Sequence, residues 1–294
     1  MKSKPRMHFV DRIVMQFVRA NFWACLACLS VVPAMAAPAT PAAQLSQCAG
    51  EHDESAEQVI AACTALINAG QVDAKELSRV YAYRAFGYER KDDLNRAVAD
   101  ADQAIKLDAT SAVAFHRRGD IRKLLLQDDF ALADFSEAIR LDPKVPLYFV
   151  NRSNVYLDTH QYDLALHDLD EALRLDPKDE VEAIVNRCNV LTFKGEFAAA
   201  MTDCQNALRQ WPGDPYPLYT LGFLYFRMDK LDDSIRAYDE ALAVPGLGAD
   251  DPYDKAYPLY GRGLARVKKG DKIGGEADMA AALALDTDIA RDFE

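Results

Sequence analysis

Apolar positions along this chain recur at intervals of three and four, in short segments set apart by polar or proline-bearing stretches. That spacing belongs to amphipathic helices that each bury one stripe and show the other side to water. Over 149–156, Phe149, Arg152, Ser153 and Tyr156 follow i, i+3, i+4, i+7 and mark the buried stripe. Asn151 and Asn154 fall on the opposite side, and Asn186 and Asn189 occupy the same places one unit later. The expectation is an all-α chain.

The helices repeat. The phrase Ala-Ile/Leu recurs near the ends of successive segments, in AIKLD, AIRLDP, ALRLDP, ALRQWP, ALAVP and ALALD, with leading alanines at 104, 138, 172, 207, 241 and 282. A period near 34 marks a solenoid of helix hairpins, in which each unit buries its apolar face by stacking on its neighbours. Asp-Pro endings stop one helix and open the next connection.

The units resemble tetratricopeptide repeats. In 217–245, Leu218, Leu221, Gly222 and Tyr225 match the first helix of that family's pattern, and Tyr238 and Ala241 the second, with Ser234 where alanine is usual. Phe115, Gly119, Ala131, Phe135, Ala138 and Pro143 match in one further unit, and Phe149, Tyr156, Ala165, Ala172 and Pro177 in another. The resemblance covers about 77–286 and implies a right-handed superhelical solenoid of six hairpins. A degenerate half-unit and cap are expected over 37–76, and a terminal cap over 287–294 through Ile289 and Phe293.

Charges share the repeat register. Arg84, Arg118, Arg152, Arg187 and Arg262 stand 16 residues before Asp100, Asp134, Asp168, Asp203 and Asp278, while the remaining unit has Leu221 and Ala237 at those places. An arginine at a helix–helix face is costly unless a carboxylate meets its planar donors, and breaking such a pair costs roughly 3–5 kcal/mol. These pairs are therefore read as architectural. Pairing each aspartate with the next unit's arginine is the rival arrangement, and it would set Asp203 against Leu221 and Arg262 against Ala237.

Composition alters the picture at one end. Lys2, Lys4, Arg6, Arg12 and Arg19 precede the apolar run 22–32 and the small-residue site Ala34-Met35-Ala36, the order of an export signal cleaved after Ala36. A membrane anchor is the alternative, but a span needs about 20 apolar residues and Pro33 cuts this run short. The expected location is the periplasm or the exterior. Against Asp11, those five cations give 1–36 a net +4, so a whole-chain charge of −12 leaves −16 on the remainder. Such acidity disfavours nucleic acid and anionic membranes and favours neutral or basic partners.

Export gives the thiols a meaning. Residues one place beyond each Arg/Asp pair set small against large, as with Gly119 and Phe135, Ser153 and Leu169, Gly222 and Tyr238, and Gly263 and Met279. Cys188 and Cys204 take those two places in their own unit, which predicts a disulfide in an oxidising compartment. Two buried, reduced cysteines are the alternative. Cys63 holds the corresponding second-helix place in the half-unit, with Cys48 15 residues earlier, and suggests a second bridge.

In the family resembled, first helices line a concave groove. The resemblance implies that Asn151, Asn154, Asn186 and Asn189 could hold the backbone of a bound peptide; ordinary solvent-facing asparagine is the alternative. Tyr219, Phe223, Phe226 and Tyr260, with Tyr216 and Tyr257, could extend this groove as aromatic anchors or could be core between neighbouring units. Asp250, Asp251 and Asp254 lie in a long connection, 246–258, but lack calcium-loop spacing and read as a solvated loop. His52, His116, His160 and His167 form no zinc motif, and no nucleophile elbow or phosphate loop occurs. The expectation is a non-catalytic exported scaffold for a protein or peptide, without cofactor or metal. The alternative is a self-associating envelope component that uses its aromatic C-terminal face.

Overall fold

A computed structural model describes residues 41–50, 54–177, 181–248 and 252–293. The segment read as an export signal, with Cys25 and Cys28, lies outside the described residues, as do His52, Asp250 and Asp251. Fourteen α-helices and one 3-10 turn make up the described chain, and no strand occurs among those residues. The all-α repeat-solenoid class is therefore the observed one.

The described residues fall into two compact units, which divide between Pro143 and Lys144. The first holds α1 (Pro41–Ala49), α2 (Ala56–Ala69), α3 (Ala74–Glu89), α4 (Leu94–Leu107), α5 (Ala112–Leu124) and α6 (Asp128–Leu141). The second holds α7 (Pro146–Asp158), α8 (Tyr162–Leu175), α9 (Val181–Lys194), α10 (Phe197–Gln210), α11 (Pro215–Arg227), α12 (Leu231–Leu242), α13 (Tyr253–Lys269) and α14 (Lys272–Leu285), then the turn Ile289–Phe293. Consecutive helices pair as hairpins, α3 with α4, α5 with α6, α7 with α8 and onward to α13 with α14. The half-unit's α2 has a partner too, because the nine-residue α1 packs against it.

Local chemistry sets the helix ends. Ser55 caps α2 by accepting from the Gln58 amide while the Gln58 side chain accepts from the Ser55 amide, so two orphan donors are satisfied reciprocally. At the other ends, α6 and α8 stop at Leu141 and Leu175, each followed by an aspartate before proline. The tight turn inside each hairpin needs one residue in the left-handed region. Asp92, Leu126, His160, Gly195, Asp229 and Gly270 supply it, at the intervals of the repeating alanines.

Within each unit, first helices also touch first helices: α3 with α5, and α7 with α9, α9 with α11, α11 with α13. Among the described residues of each unit, no such contact joins second helices of neighbouring hairpins. The first helices therefore form the tighter layer, and their side chains decide what that face offers. The core runs between layers and is alanine-rich where helices approach, with Ala97, Ala101, Ala104, Ala131, Ala138, Ala165 and Ala172 all buried.

One connection differs from the sequence expectation. Helix α13 begins at Tyr253, inside the stretch read as loop, and Asp254 is buried in its first turn. Carboxylates are favoured at helix N-termini by the peptide dipoles, which suits Asp254 to this position. Pro258 lies inside the same helix, at its sixth position, where it supplies no amide to the ladder.

Candidate interaction surface

The repeating Arg/Asp pairs sit between the two helices of each hairpin. Arg84 donates from Nε and Nη2 to Asp100 at 2.6 and 2.8 Å, and Arg118 meets Asp134 at 2.9 and 2.8 Å. Arg152 meets Asp168 at 2.7 Å twice, Arg187 meets Asp203 at 2.8 and 2.9 Å, and Arg262 meets Asp278 at 2.7 Å twice. All are two-pronged, and every one of these aspartates is buried. The hydrogen bonds to Asp100 and Asp278 raise the pKa of Arg84 and Arg262 against the burial that opposes charge.

Arg84, Arg118, Arg187 and Arg262 do more than close their own hairpin, Arg84 by donating from Nη1 to Thr64 at 3.1 Å. In the other three, Nη1 donates to an aspartate of the preceding unit: Arg118 to Asp102 at 2.7 Å, Arg187 to Asp170 at 2.7 Å and Arg262 to Asp239 at 2.6 Å. Each such aspartate stands two residues after the place of the hairpin carboxylate, which is a legible sequence signal. Asp134 and Asp278 also take a second guanidinium, from Arg122 and Arg266, through an R-x-x-x-R spacing.

At the neighbouring small/large places, Cys188 and Cys204 are bonded, and their Cα atoms are 5.6 Å apart. Cys48 and Cys63 are bonded across α1 and α2 with Cα atoms 4.8 Å apart. In the next hairpin Ser234 uses the same close approach, donating to the Gly222 carbonyl at 2.8 Å.

On the first-helix face the amides lean on one another. Asn186 is buried; its amide nitrogen donates to Asn154 Oδ1 at 2.7 Å, and its oxygen accepts from the Tyr216 hydroxyl at 2.6 Å. Asn154 in turn donates to buried Glu182 at 3.3 Å. This relay crosses α7, α9 and α11. Tyr216 and Glu182 entered it from outside the asparagine set, because only stacking of neighbouring hairpins brings them together. Asn151 and Asn189 are half-buried, and the Asn189 side-chain oxygen has no hydrogen-bond partner.

The aromatic set divides by depth. Tyr219 and Phe223 are buried, and Phe226 and Tyr260 half-buried. Tyr219 lies against Tyr216 and Tyr257, with ring centroids 5.1 and 4.8 Å apart. Lys268 caps the Phe226 ring, and Arg227 lies over Phe193 and Phe223. No group of three or more His, Cys, Asp or Glu side chains suited to a metal ion occurs among the described residues. No described helix is long and apolar enough to cross a membrane.

The tetratricopeptide repeat family model matches residues 146–179, which contain α7 and α8. Among solved structures, the chain is similar to a tetratricopeptide repeat protein from Parabacteroides merdae, at 15% identity and TM-score 0.66, covering 81% of this chain and 91% of that one. It is also similar to PilW, a type IV pilus biogenesis factor, at 19% identity and TM-score 0.61, covering 71% and 93%. Pseudomonas aeruginosa pilF is matched at 17% identity and TM-score 0.57, covering 72% and 93%. No curated protein sequence matches. At these identities the likeness concerns the fold.

Proposed function

From the premise that this chain is a tetratricopeptide repeat protein, we propose that it is a non-catalytic scaffold whose first-helix layer binds a protein or peptide segment. The observation that carries this reading is a contrast between faces. Second helices of the second unit show water an outer face of short ion pairs, such as Glu171 with Arg174 and Asp233 with Arg236. First helices of that unit instead hold half-buried amides and rings, Asn151, Asn154, Asn189, Phe226 and Tyr260, in one layer. Amides can hold a peptide backbone and rings can anchor its side chains.

The proposed setting is outside the cytoplasm, with 1–36 as the export signal, 37–76 as the leading cap, 77–286 as the repeats and 287–294 as the closing cap. Two disulfides support it, since such bonds persist in oxidising compartments. The partner segment is proposed to be basic, in keeping with the −12 net charge.

A photoreactive phenylalanine analogue at 226 tests the reading in intact cells, with the same analogue at exposed Phe130 of a second helix as control. A discrete cross-linked partner from 226 and none from 130 is the expected result. Equal labelling from both positions removes the groove reading, and a partner identified by mass as this same chain replaces it with self-association.

A further inference from the structure

The turn Ile289–Phe293 does two separate things. Ile289 is fully buried in the cluster that closes the second unit, with Ala282, Ala256 and Leu259. Phe293 packs against the edge of the same cluster. The chain then continues onto the first-helix layer, where the Phe293 ring enters a slot between α11 and α13. Its centroid lies 4.6 Å from Tyr257, 5.3 Å from Tyr260 and 5.7 Å, edge on, from Phe223. One residue earlier, Asp292 Oδ2 accepts from the Tyr253 hydroxyl at 2.8 Å. Arg227 stands on the rim over Phe223.

An aromatic slot with a hydroxyl donor one residue's reach away is a recognition pair: the rings select an aryl side chain, and the donor selects a carboxylate just before it. We infer that this slot is the anchoring subsite for partner segments carrying aspartate immediately before phenylalanine, and that residues 289–293 occupy it in cis. The inference rests on the first-helix layer being the ligand surface, and it names the side chains by which a ligand is held there. A tether of a few residues gives the chain's own Phe293 an effective concentration in the millimolar range, so a micromolar ligand in trans meets a closed site.

The test uses the full chain and a blocked, fluorescein-labelled peptide of sequence ARDFG, read by anisotropy. Phe293→Ala should bind it at least tenfold more tightly than the unaltered chain, and Phe293→Trp, which refills the slot, should not. Asp292→Asn keeps the ring but weakens its neighbour, and should give an intermediate gain. Probe ARDAG should lose the binding, and ARNFG should bind more weakly than ARDFG. Equal affinity of Phe293→Ala and the unaltered chain overturns the inference, as does indifference to either probe change. Should circular dichroism show Phe293→Ala unfolded, Asp292→Asn decides, and no gain there also overturns it. A partner cross-linked from 226 with no peptide gain sinks the slot and spares the wider reading. Peptide gain without a cross-linked partner supports the slot and sets Phe226 outside the bound segment.

Discussion

Arg118 and Asp134 meet across the α5–α6 hairpin through two parallel hydrogen bonds of 2.9 and 2.8 Å, and Arg122 adds a third to the same carboxylate at 2.6 Å. Asp134 is almost wholly buried, so removing it strands two cations in a poorly hydrated seam. Asp134→Ala should cost about 3–5 kcal/mol in urea unfolding. Replacing all three as Arg118→Leu, Arg122→Leu and Asp134→Ala follows the apolar choice seen at Leu221 and Ala237 and should recover most of that loss. A triple variant no more stable than the single one would show that the seam depends on the ions themselves.

The bond between Cys188 and Cys204 closes a loop of sequence separation 16 inside one hairpin. Its loss should lower stability by about 3 kcal/mol in the chain-entropy picture. Thermal melts with and without reductant measure this, using Cys48→Ala/Cys63→Ala to isolate the effect. The pair Cys188→Gly/Cys204→Phe should be better tolerated than Cys188→Ala/Cys204→Ala, because other hairpins pack Gly119 on Phe135 and Gly222 on Tyr238 at these places.

Tyr238 lies between two glycines. A Cβ added at Gly222 would stand 2.8 Å from the ring, and one at Gly261 would stand 2.3 Å from Cζ. Gly261→Ala should therefore destabilise by about 1–3 kcal/mol through overpacking. The Tyr238 hydroxyl is buried without a hydrogen-bond partner, and burial pushes its pKa well above the usual value. Tyr238→Phe removes that stranded group and should stabilise the fold by about 1 kcal/mol in urea titration.

His116 is buried beside Phe135, and burial, aided by the Arg117 charge, holds its pKa well below 6.5. The Asp120 carboxylate at 3.6 Å favours the proton but does not outweigh desolvation. The unfolded chain binds the proton first, so His116 contributes stability above about pH 6.5 that is lost as pH falls toward the depressed folded value. Unfolding free energies from pH 7 to 5 should slope downward with acid, and His116→Gln should flatten the slope. An unchanged slope would assign the acid sensitivity to other groups.

Leu126 occupies the left-handed turn of its hairpin at φ 57°, with its side chain largely in water. Gly195 and Gly270 hold the same place in other hairpins without steric cost. Leu126→Gly should stabilise by up to about 1 kcal/mol, read as a higher urea midpoint, because relief of the left-handed penalty exceeds the added chain entropy.

Much of this architecture is written in the chain. Helix period, repeat length and the stagger that sets residues 16 apart against each other are properties of one hairpin, and a hairpin repeated is visible as spacing. Arg187 with Asp203 and Cys188 with Cys204 belong to that local class. Tertiary structure decided what depends on neighbouring hairpins. Stacking brought Tyr216 and Glu182 to the asparagines, turned Arg118, Arg187 and Arg262 toward a second aspartate, and buried Asp254 at a helix start. It also set the Phe293 ring among Phe223, Tyr257 and Tyr260. The reason is physical: contacts within a hairpin are fixed by a helix and a turn of known pitch, whereas contacts between hairpins depend on how whole layers settle against one another.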